Sequence, residues 1–266
     1  MNARTEPAAA EPDATATARP PLARELLLVA GLFLVYKLGR RLAVGHTADA
    51  FHNAHRVWDL ERAVHLPDET SVQSALLHGD LLVHLANTYY ATVHFPATLA
   101  FLVWLYVRRP AHYVWARRVL AAVTAAALVL PFTFPLAPPR MLAGTGLLDT
   151  ARIYGPSVYG PPAGDHLSNQ FAAMPSLHFG WALMVAVGLM AATRSRLRPL
   201  WLLHPLVTLL VIVGTANHYW VDALAAAVML GAALAVVRAP RHPSGTAGGA
   251  PRLPAQRGPV LAGAGR

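Results

Sequence analysis

The chain has 266 residues, 55% of them hydrophobic and 13% charged, with a mean hydropathy of +0.39; this is too apolar for an ordinary soluble domain and reads as a polytopic membrane protein. The net charge of +9 does not make a nucleic-acid surface, because the arginines gather at helix ends and in the tails without interleaved aromatics, a pattern that membrane topology and anionic headgroups explain better. Cysteine is absent, which excludes disulfides, thiolate metal ligands and a cysteine nucleophile and leaves the compartment open.

Residues 1–21, rich in Ala, Pro, Thr and Glu, have no packing pattern and read as a disordered tail. A membrane-embedded domain is expected over 22–238, followed by a second disordered tail over 239–266. The first spanning segment is Leu26 to Val44, with Lys37, Arg40 and Arg41 in its second half able to snorkel toward headgroups. From Asp49 to Leu66, the residues Ala50, Ala54, Val57, Leu60 and Val64 recur near helical spacing among charges, which suits a helix lying in the interface. His52 and His55 there read as part of a solvated face, the spacing being weak support for a metal site.

Three stretches, Leu81 to Val107, Val119 to Pro139 and Pro199 to Val221, contain no Asp, Glu, Lys or Arg. They are long enough to span, and such lengths favour helices over a barrel. The fold class expected is therefore all-α, a bundle of about six transmembrane helices with one interfacial helix. The second span is Leu81 to Val107, carrying His84, Asn87 and His94, and Arg108, Arg109, Arg117 and Arg118 bracket a short loop after it. The third is Val119 to Leu136. A long connection from Leu136 to Pro175 has little periodicity, and loops of this length are commonly functional or disordered. Ser176 to Thr193, Leu200 to Ala216 and His218 to Val237 complete the set.

Arginines are concentrated in the loops at 108–118 and 194–198 and in the C-terminal tail, whereas the long connection has only Arg140 and Arg152. The positive-inside bias puts both termini and the Arg-rich loops in the cytoplasm. The long connection and the starts of the fourth and sixth helices then share the outer face, although Lys37, Arg40 and Arg41 also fall outside.

Three polar groups converge on that face. Arg140 follows the third span in PLAPPRM. In MPSLHFG, Pro175 suits a first helical position and Ser176 a cap, which puts His178 in a first turn that attracts phosphate or another anion. In GTANHYWVD, His218 and Asp222 stand four apart, on one helix face if a helix starts near His218. A carboxylate inside a span costs roughly 2.5 to 3.5 kcal/mol, which makes the pair a functional candidate. The carboxylate would orient the imidazole and strengthen its other nitrogen as nucleophile or base. Two histidines, one arginine and one carboxylate suffice for phosphoryl transfer without a metal. Singly, each has a plainer reading: a helix-packing histidine, a headgroup anchor, a carboxylate bonded to a neighbouring helix.

At PPRM, FAAMPSLHFGW and NHYWVD the chain resembles the type-2 phosphatidic-acid phosphatase superfamily of lipid phosphatases and phosphotransferases, from about Asn53 to Val237. It looks most like the inositol phosphorylceramide synthase branch. The resemblance implies a six-helix fold with its site at the outer face of the cell membrane. It also implies that His218 is the nucleophile that becomes a phosphohistidine, Asp222 its orienting carboxylate, His178 the general acid and Arg140 the phosphate ligand. The chain departs from the family pattern at Thr133, where a lysine is usual, at Val211 and Ile212, where Ser-Arg is usual, and at Leu177, where glycine is usual. Two cationic ligands are thus missing, and Asn217, Ser176 and backbone donors are the groups available to compensate. A site with one arginine suits a singly charged diester better than a doubly charged monoester, which tilts the expectation toward transfer of a phosphate-linked headgroup. Asp149 and Asp165 are candidate contacts for a polyol or alcohol acceptor. The partners expected are a lipid phosphate substrate, membrane lipids and that acceptor, with no nucleic acid, cofactor or metal. A plain lipid-phosphate or polyprenyl-phosphate phosphatase, and a non-catalytic lipid-binding or transport protein of the same fold, remain as alternatives. A metal-dependent hydrolase has no HExxH or carboxylate cluster to support it.

Overall fold

Hydrophobic runs punctuated by proline set the helix boundaries, and several fall elsewhere than their periodicity predicts. The computed structural model describes residues 19–42, 47–157 and 171–240. The first eighteen residues, most of the C-terminal tail and Asp165 lie outside the described set. Among the described residues there are ten α-helices: α1 (Leu22–Leu42), α2 (Thr47–Ala63), α3 (Glu69–Leu76), α4 (Asp80–Thr92), α5 (His94–Arg108), α6 (Pro110–Thr133), α7 (Thr150–Tyr154), α8 (Leu177–Ala192), α9 (Leu203–Gly214) and α10 (Trp220–Val236). Among the described residues there is no strand, only one isolated parallel bridge between Leu136 and Ala172. The chain is all-α as expected.

The second expected span is two helices. α4 and α5 meet at a bend of 49°, because Pro96 has no N–H to offer the carbonyl of Thr92 and its ring crowds that carbonyl. The expected arginine loop is absent as well. α5 ends at Arg108 and α6 begins at Pro110, a residue suited to a first helical position, so Arg117 and Arg118 lie two turns inside α6. Arg117 pairs with the buried Glu25 near the start of α1, which also accepts a 2.8 Å hydrogen bond from the Tyr113 hydroxyl. Arg19 donates to the Val107 carbonyl at 2.8 Å and Tyr106 to the Pro20 carbonyl at 2.9 Å, so the end of the expected N-terminal tail is held against α5.

The interfacial helix also turns a different face inward. Ala50, Asn53, Ala54, Val57 and Glu61 of α2 are buried, while Leu60 and Val64 are exposed. The spacing that matters is 50, 54, 57, 61, and its last member is a carboxylate. His52 and His55 lie exposed on the outer side.

Helix lengths bear on the six-span expectation. α6, with 24 residues, is long and apolar enough to cross a membrane, and α4 with α5 meets the same requirement only as a bent pair. α8 and α10, of 16 and 17 residues, rise about 1.5 Å per residue and so fall short of a hydrocarbon core of about 30 Å. By length and composition, then, one helix among the described residues qualifies as a span, or two counting the bent pair.

Helices α5, α6, α8 and α10 pack around Phe101, Leu105, Val119, Val123, Met184 and Leu230. His94 lies on Trp181 and Phe101 on Gly188, so α5 and α8 run the same way. Trp115 Nε1 donates to the Val237 carbonyl at 2.9 Å and Trp181 Nε1 to Thr124 Oγ1 at 3.1 Å, so α6 runs against both α8 and α10. The first turns of α8 and α10 and the end of α6 therefore share one end of the bundle, and Arg108, Arg109 and Arg238 the other. The close approach of α5 to α8 requires a glycine, since a Cβ at position 188 would stand 2.3 Å from Phe101 Cζ. Gly188→Val is expected to cost about 1–3 kcal/mol by overpacking, read as a lower unfolding temperature in detergent; an unchanged midpoint would contradict this packing.

Candidate active site

The chain between α9 and α10 turns tightly enough to present consecutive side chains to one spot. Asn217 N and His218 N both donate to the Ile212 carbonyl, at 3.0 and 3.1 Å, and Ala216 adopts φ +52°, a left-handed conformation uncommon for a residue with a side chain. α10 starts at Trp220, two residues later than expected, so His218 and Asp222 are not on one helix face. They meet because Asp222, at the third helical position, reaches back. Its Oδ2 accepts from Tyr219 N at 3.0 Å and lies 3.2 Å from His218 Nδ1. The carboxylate is fully buried and His218 nearly so. A partner at Nδ1 favours the tautomer with its proton there, which leaves the lone pair on Nε2.

His178 comes to the same spot from α8. Ser176 is the N-cap, its Oγ accepting from Phe179 N at 3.4 Å. Leu177 is thus the first helical residue and Pro175 lies outside the helix, contrary to the position expected for it. His178 keeps its place in the first turn. A backbone hydrogen bond of 3.1 Å from Ser176 N to the Asp222 carbonyl ties the two helix starts together. The rings of His178 and His218 are 6.2 Å apart, centre to centre. Tyr90 stacks on His178 at 4.3 Å and 18°, and His94 lies against it at 4.4 Å and 39°. Sequence reasoning noted His94 without a role and passed over Tyr90. The available signal was a polar stripe through an apolar segment, Asn87, Tyr90 and His94 at helical spacing.

Arg140 arrives on a 3-10 turn, Pro139–Met141, just beyond α6. Its amide donates to the Ala216 carbonyl at 3.0 Å and its Nη1 to Asn217 Oδ1 at 2.7 Å, so the arginine is fastened twice to the turn carrying His218. Asn217 in turn donates through Nδ2 to Thr215 Oγ1 at 2.7 Å. Its side chain thus links the guanidinium to Thr215. Asp149 Oδ2 lies 3.5 Å from Arg140 Nε, and Asp149 also caps α7 by accepting from Arg152 N at 3.1 Å. Arg140 is largely buried, which strengthens its interactions with an anion relative to those in water.

The long connection is held in place by side chains that show no such purpose in sequence. Asn87 Nδ2 donates to the carbonyls of Thr150 and Gly155, both at 3.0 Å, while Thr150 Oγ1 donates to Asn87 Oδ1 at 2.9 Å. Gln73 exchanges hydrogen bonds with the backbone of Leu148, donating at 3.0 Å and accepting at 2.7 Å, and donates to the Gly214 carbonyl at 3.3 Å. Outside the spans, Asp68 caps α3, and the Thr70 hydroxyl is the main influence holding its carboxyl below the usual range.

Four of the expected residues, His178, His218, Asp222 and Arg140, are thus brought together or linked through one turn, with Ser176 and Asn217 behind them. Positions where the family pattern carries cations supply none: Thr133 is exposed at the end of α6, and Val211 and Ile212 are buried. Among the described residues no three His, Asp or Glu side chains converge as a metal site. The arrangement holds an imidazole backed by a carboxylate, a second imidazole facing it and a guanidinium, groups whose chemistry suits a phosphoryl group.

A family model described as the PAP2 superfamily matches residues 55–236, a segment that begins within α2 and contains every residue of the site. No curated protein and no solved structure matches the chain. The match is to the superfamily at large and does not single out the inositol phosphorylceramide synthase branch. It covers more than half of the chain, and the chain accordingly belongs to the PAP2 superfamily, the type-2 phosphatidic-acid phosphatases, with a phosphatase-type function.

Proposed function

We propose that this protein is an integral membrane enzyme that cleaves a lipid phosphate ester through a phosphohistidine on His218 and passes the phosphoryl group to water or an alcohol. The observation that carries this reading is the pairing of the His178 and His218 rings at 6.2 Å with Asp222 behind His218. Ring centres that far apart leave room for one phosphoryl group and its leaving oxygen between the two imidazoles. His218 Nε2 attacks phosphorus while Asp222 stabilises the imidazolium through Nδ1–H. His178 gives its proton to the leaving lipid oxygen, and Arg140 holds the equatorial oxygens. In the second half His178 takes a proton from water or the acceptor hydroxyl, whose oxygen attacks phosphorus and releases His218. No metal takes part in this scheme.

Membrane integration is supported by the length of α6 and by its apolar neighbours, and by exposed side chains such as Leu85, Leu99, Val103, Leu210, Leu224 and Val228, which suit lipid contact. Six crossings follow if α1, the bent pair, α6, α8, α9 and α10 each count as one, local thinning of the bilayer accommodating the shorter helices. Arginines at the far end of the bundle favour an orientation with both termini in the cytoplasm and the site at the outer face of the cell membrane.

The acceptor is proposed to be an alcohol, with a phosphate-linked headgroup transferred from a diester. The support is that Arg140 is the cation of the site and Asp149 already offsets part of its charge, an environment better matched to one negative charge than to two. Asp149, partly exposed, is within reach of an acceptor hydroxyl.

His218→Ala is expected to abolish turnover of every accepted lipid phosphate in the purified protein, and retained activity would remove the proposal. His178→Ala is expected to lose about 10² to 10⁴ in rate on an alkyl ester and much less on an aryl phosphate, whose leaving group needs no proton; equal losses on both would deny His178 the role of acid. Arg140→Ala is expected to lower kcat/KM by about 10² to 10³, with Asn217→Ala following in the same direction to a smaller extent. Product analysis by mass spectrometry, with and without a polyol acceptor, separates the outcomes: release of inorganic phosphate from a monoester, or of the phosphorylated headgroup from a diester, establishes hydrolysis, and a new phosphodiester formed from a diester donor establishes transfer.

A further inference from the structure

Behind the site lies a pair of carboxyl groups that the chemistry above does not use. Glu61, on the inward face of α2, and Glu69, in the first turn of α3, are both fully buried. Glu61 Oε1 accepts a 2.8 Å hydrogen bond from Val221 N, one of the first-turn amides of α10 that have no acceptor within their own helix. The residue next to Val221 is Asp222. Glu61 Oε2 and Glu69 Oε1 are buried with no hydrogen-bond partner, and of the side chains around Glu61 the Glu69 carboxyl has the largest influence on it. Two carboxyl groups sharing a buried site ionise together only at high cost, because as carboxylates they repel and have only acceptors to offer each other.

The surrounding charges decide which group carries it. Arg62 pairs with Glu69, reaches Asp68 at 2.9 Å and lies over the Trp58 ring at 4.0 Å. The cation nearest the pair is thus committed to Glu69. Glu61 instead faces anions, Glu69 from α3 and Asp222 from α10, with the Tyr219 phenol also close enough to feel its charge.

We propose that Glu61 is a positioning residue of the active site: held as a neutral carboxylic acid, it donates its proton to Glu69 and accepts Val221 N–H, which fixes the first turn of α10 where Asp222 reaches back to His218. A neutral Glu61 also removes one of the two anions close to Asp222, Glu69 being the other, so that more of the Asp222 charge is directed at the imidazole. This proposal rests on the reading of His218 and Asp222 as the catalytic pair.

Burial, and after it the Glu69 carboxyl, push the Glu61 carboxyl up to about 9, against the opposing pull of the Val221 amide. A carboxyl raised in the folded protein contributes stability that is whole below its ordinary range and lost as pH rises through that value. Stability therefore declines as pH rises toward that value and levels off beyond it, while activity falls as Glu61 ionises and repels Glu69 and Asp222.

The test uses the full chain in detergent or vesicles. Glu61→Gln retains an acceptor for Val221 N–H and a donor for Glu69; it is expected to keep kcat within a few-fold of the wild type and to lose the alkaline fall in activity and melting temperature. Glu61→Leu removes both and is expected to lower kcat by about tenfold to a hundredfold with KM nearly unchanged. Infrared spectra of the wild type at neutral pH should contain a protonated-carboxyl C=O band that is absent in Glu61→Gln, a readout independent of turnover and of whether the Leu variant folds. Absence of that band, or wild-type kcat in Glu61→Leu while His218→Ala is inactive, overturns the proposal. Equal activity of His218→Ala and wild type overturns instead the catalytic reading beneath it.

Discussion

The Asp222 carboxylate is buried away from water, and the architecture around it follows from the need to satisfy it there. An uncompensated carboxylate in such a place is among the most costly arrangements a protein can hold. Asp222 accepts from Tyr219 N and faces His218 Nδ1, and it sits in the first turn of α10, where the helix dipole favours a negative charge. The same contacts that make the carboxylate tolerable orient the imidazole. A helix that began at His218, as the spacing suggests, would carry Asp222 to its fifth position, out of the first turn where a carboxylate can accept from unpaired amides. Starting at Trp220 leaves the chain free to fold back over the carboxylate.

Backbone hydrogen bonds then draw distant segments toward this turn. Arg140 N binds the Ala216 carbonyl and Ser176 N the Asp222 carbonyl, so residues from three parts of the chain are referenced to one short stretch of main chain. Backbone atoms have little freedom once the turn has formed, and side chains attached to them inherit that definition. Arg140 receives a second restraint from Asn217, and His178 is clasped by Tyr90 and His94. A site assembled this way is largely organised before substrate arrives, which is the condition under which electrostatic stabilisation acts most strongly on a developing charge.

The supporting shell accounts for polar residues at apolar positions. Asn87 and Gln73 meet carbonyl and amide groups of the long connection, and Glu61 meets an unpaired amide of α10. Each is buried on an inward helix face, and each satisfies backbone groups of another segment. Such residues are hard to recognise from a single chain because their partners are main-chain atoms, which have no sequence signature.

From sequence alone, composition and the charge-free stretches determined an all-helical chain, and the spacing of PPRM, MPSLHFG and NHYWVD singled out Arg140, His178, His218 and Asp222, because local chemistry at helix starts is written in neighbouring residues. The same reasoning misjudged how α4 parts from α5, the face α2 turns inward and the start of α10, all of which depend on contacts between segments. Only the tertiary structure decided that Asn217 serves Arg140, that Tyr90 and His94 enclose His178 and that Glu61 stands behind Asp222. These pairings join residues far apart along the chain, and hydrophobic periodicity records which face of a helix is apolar without recording what will be packed against it.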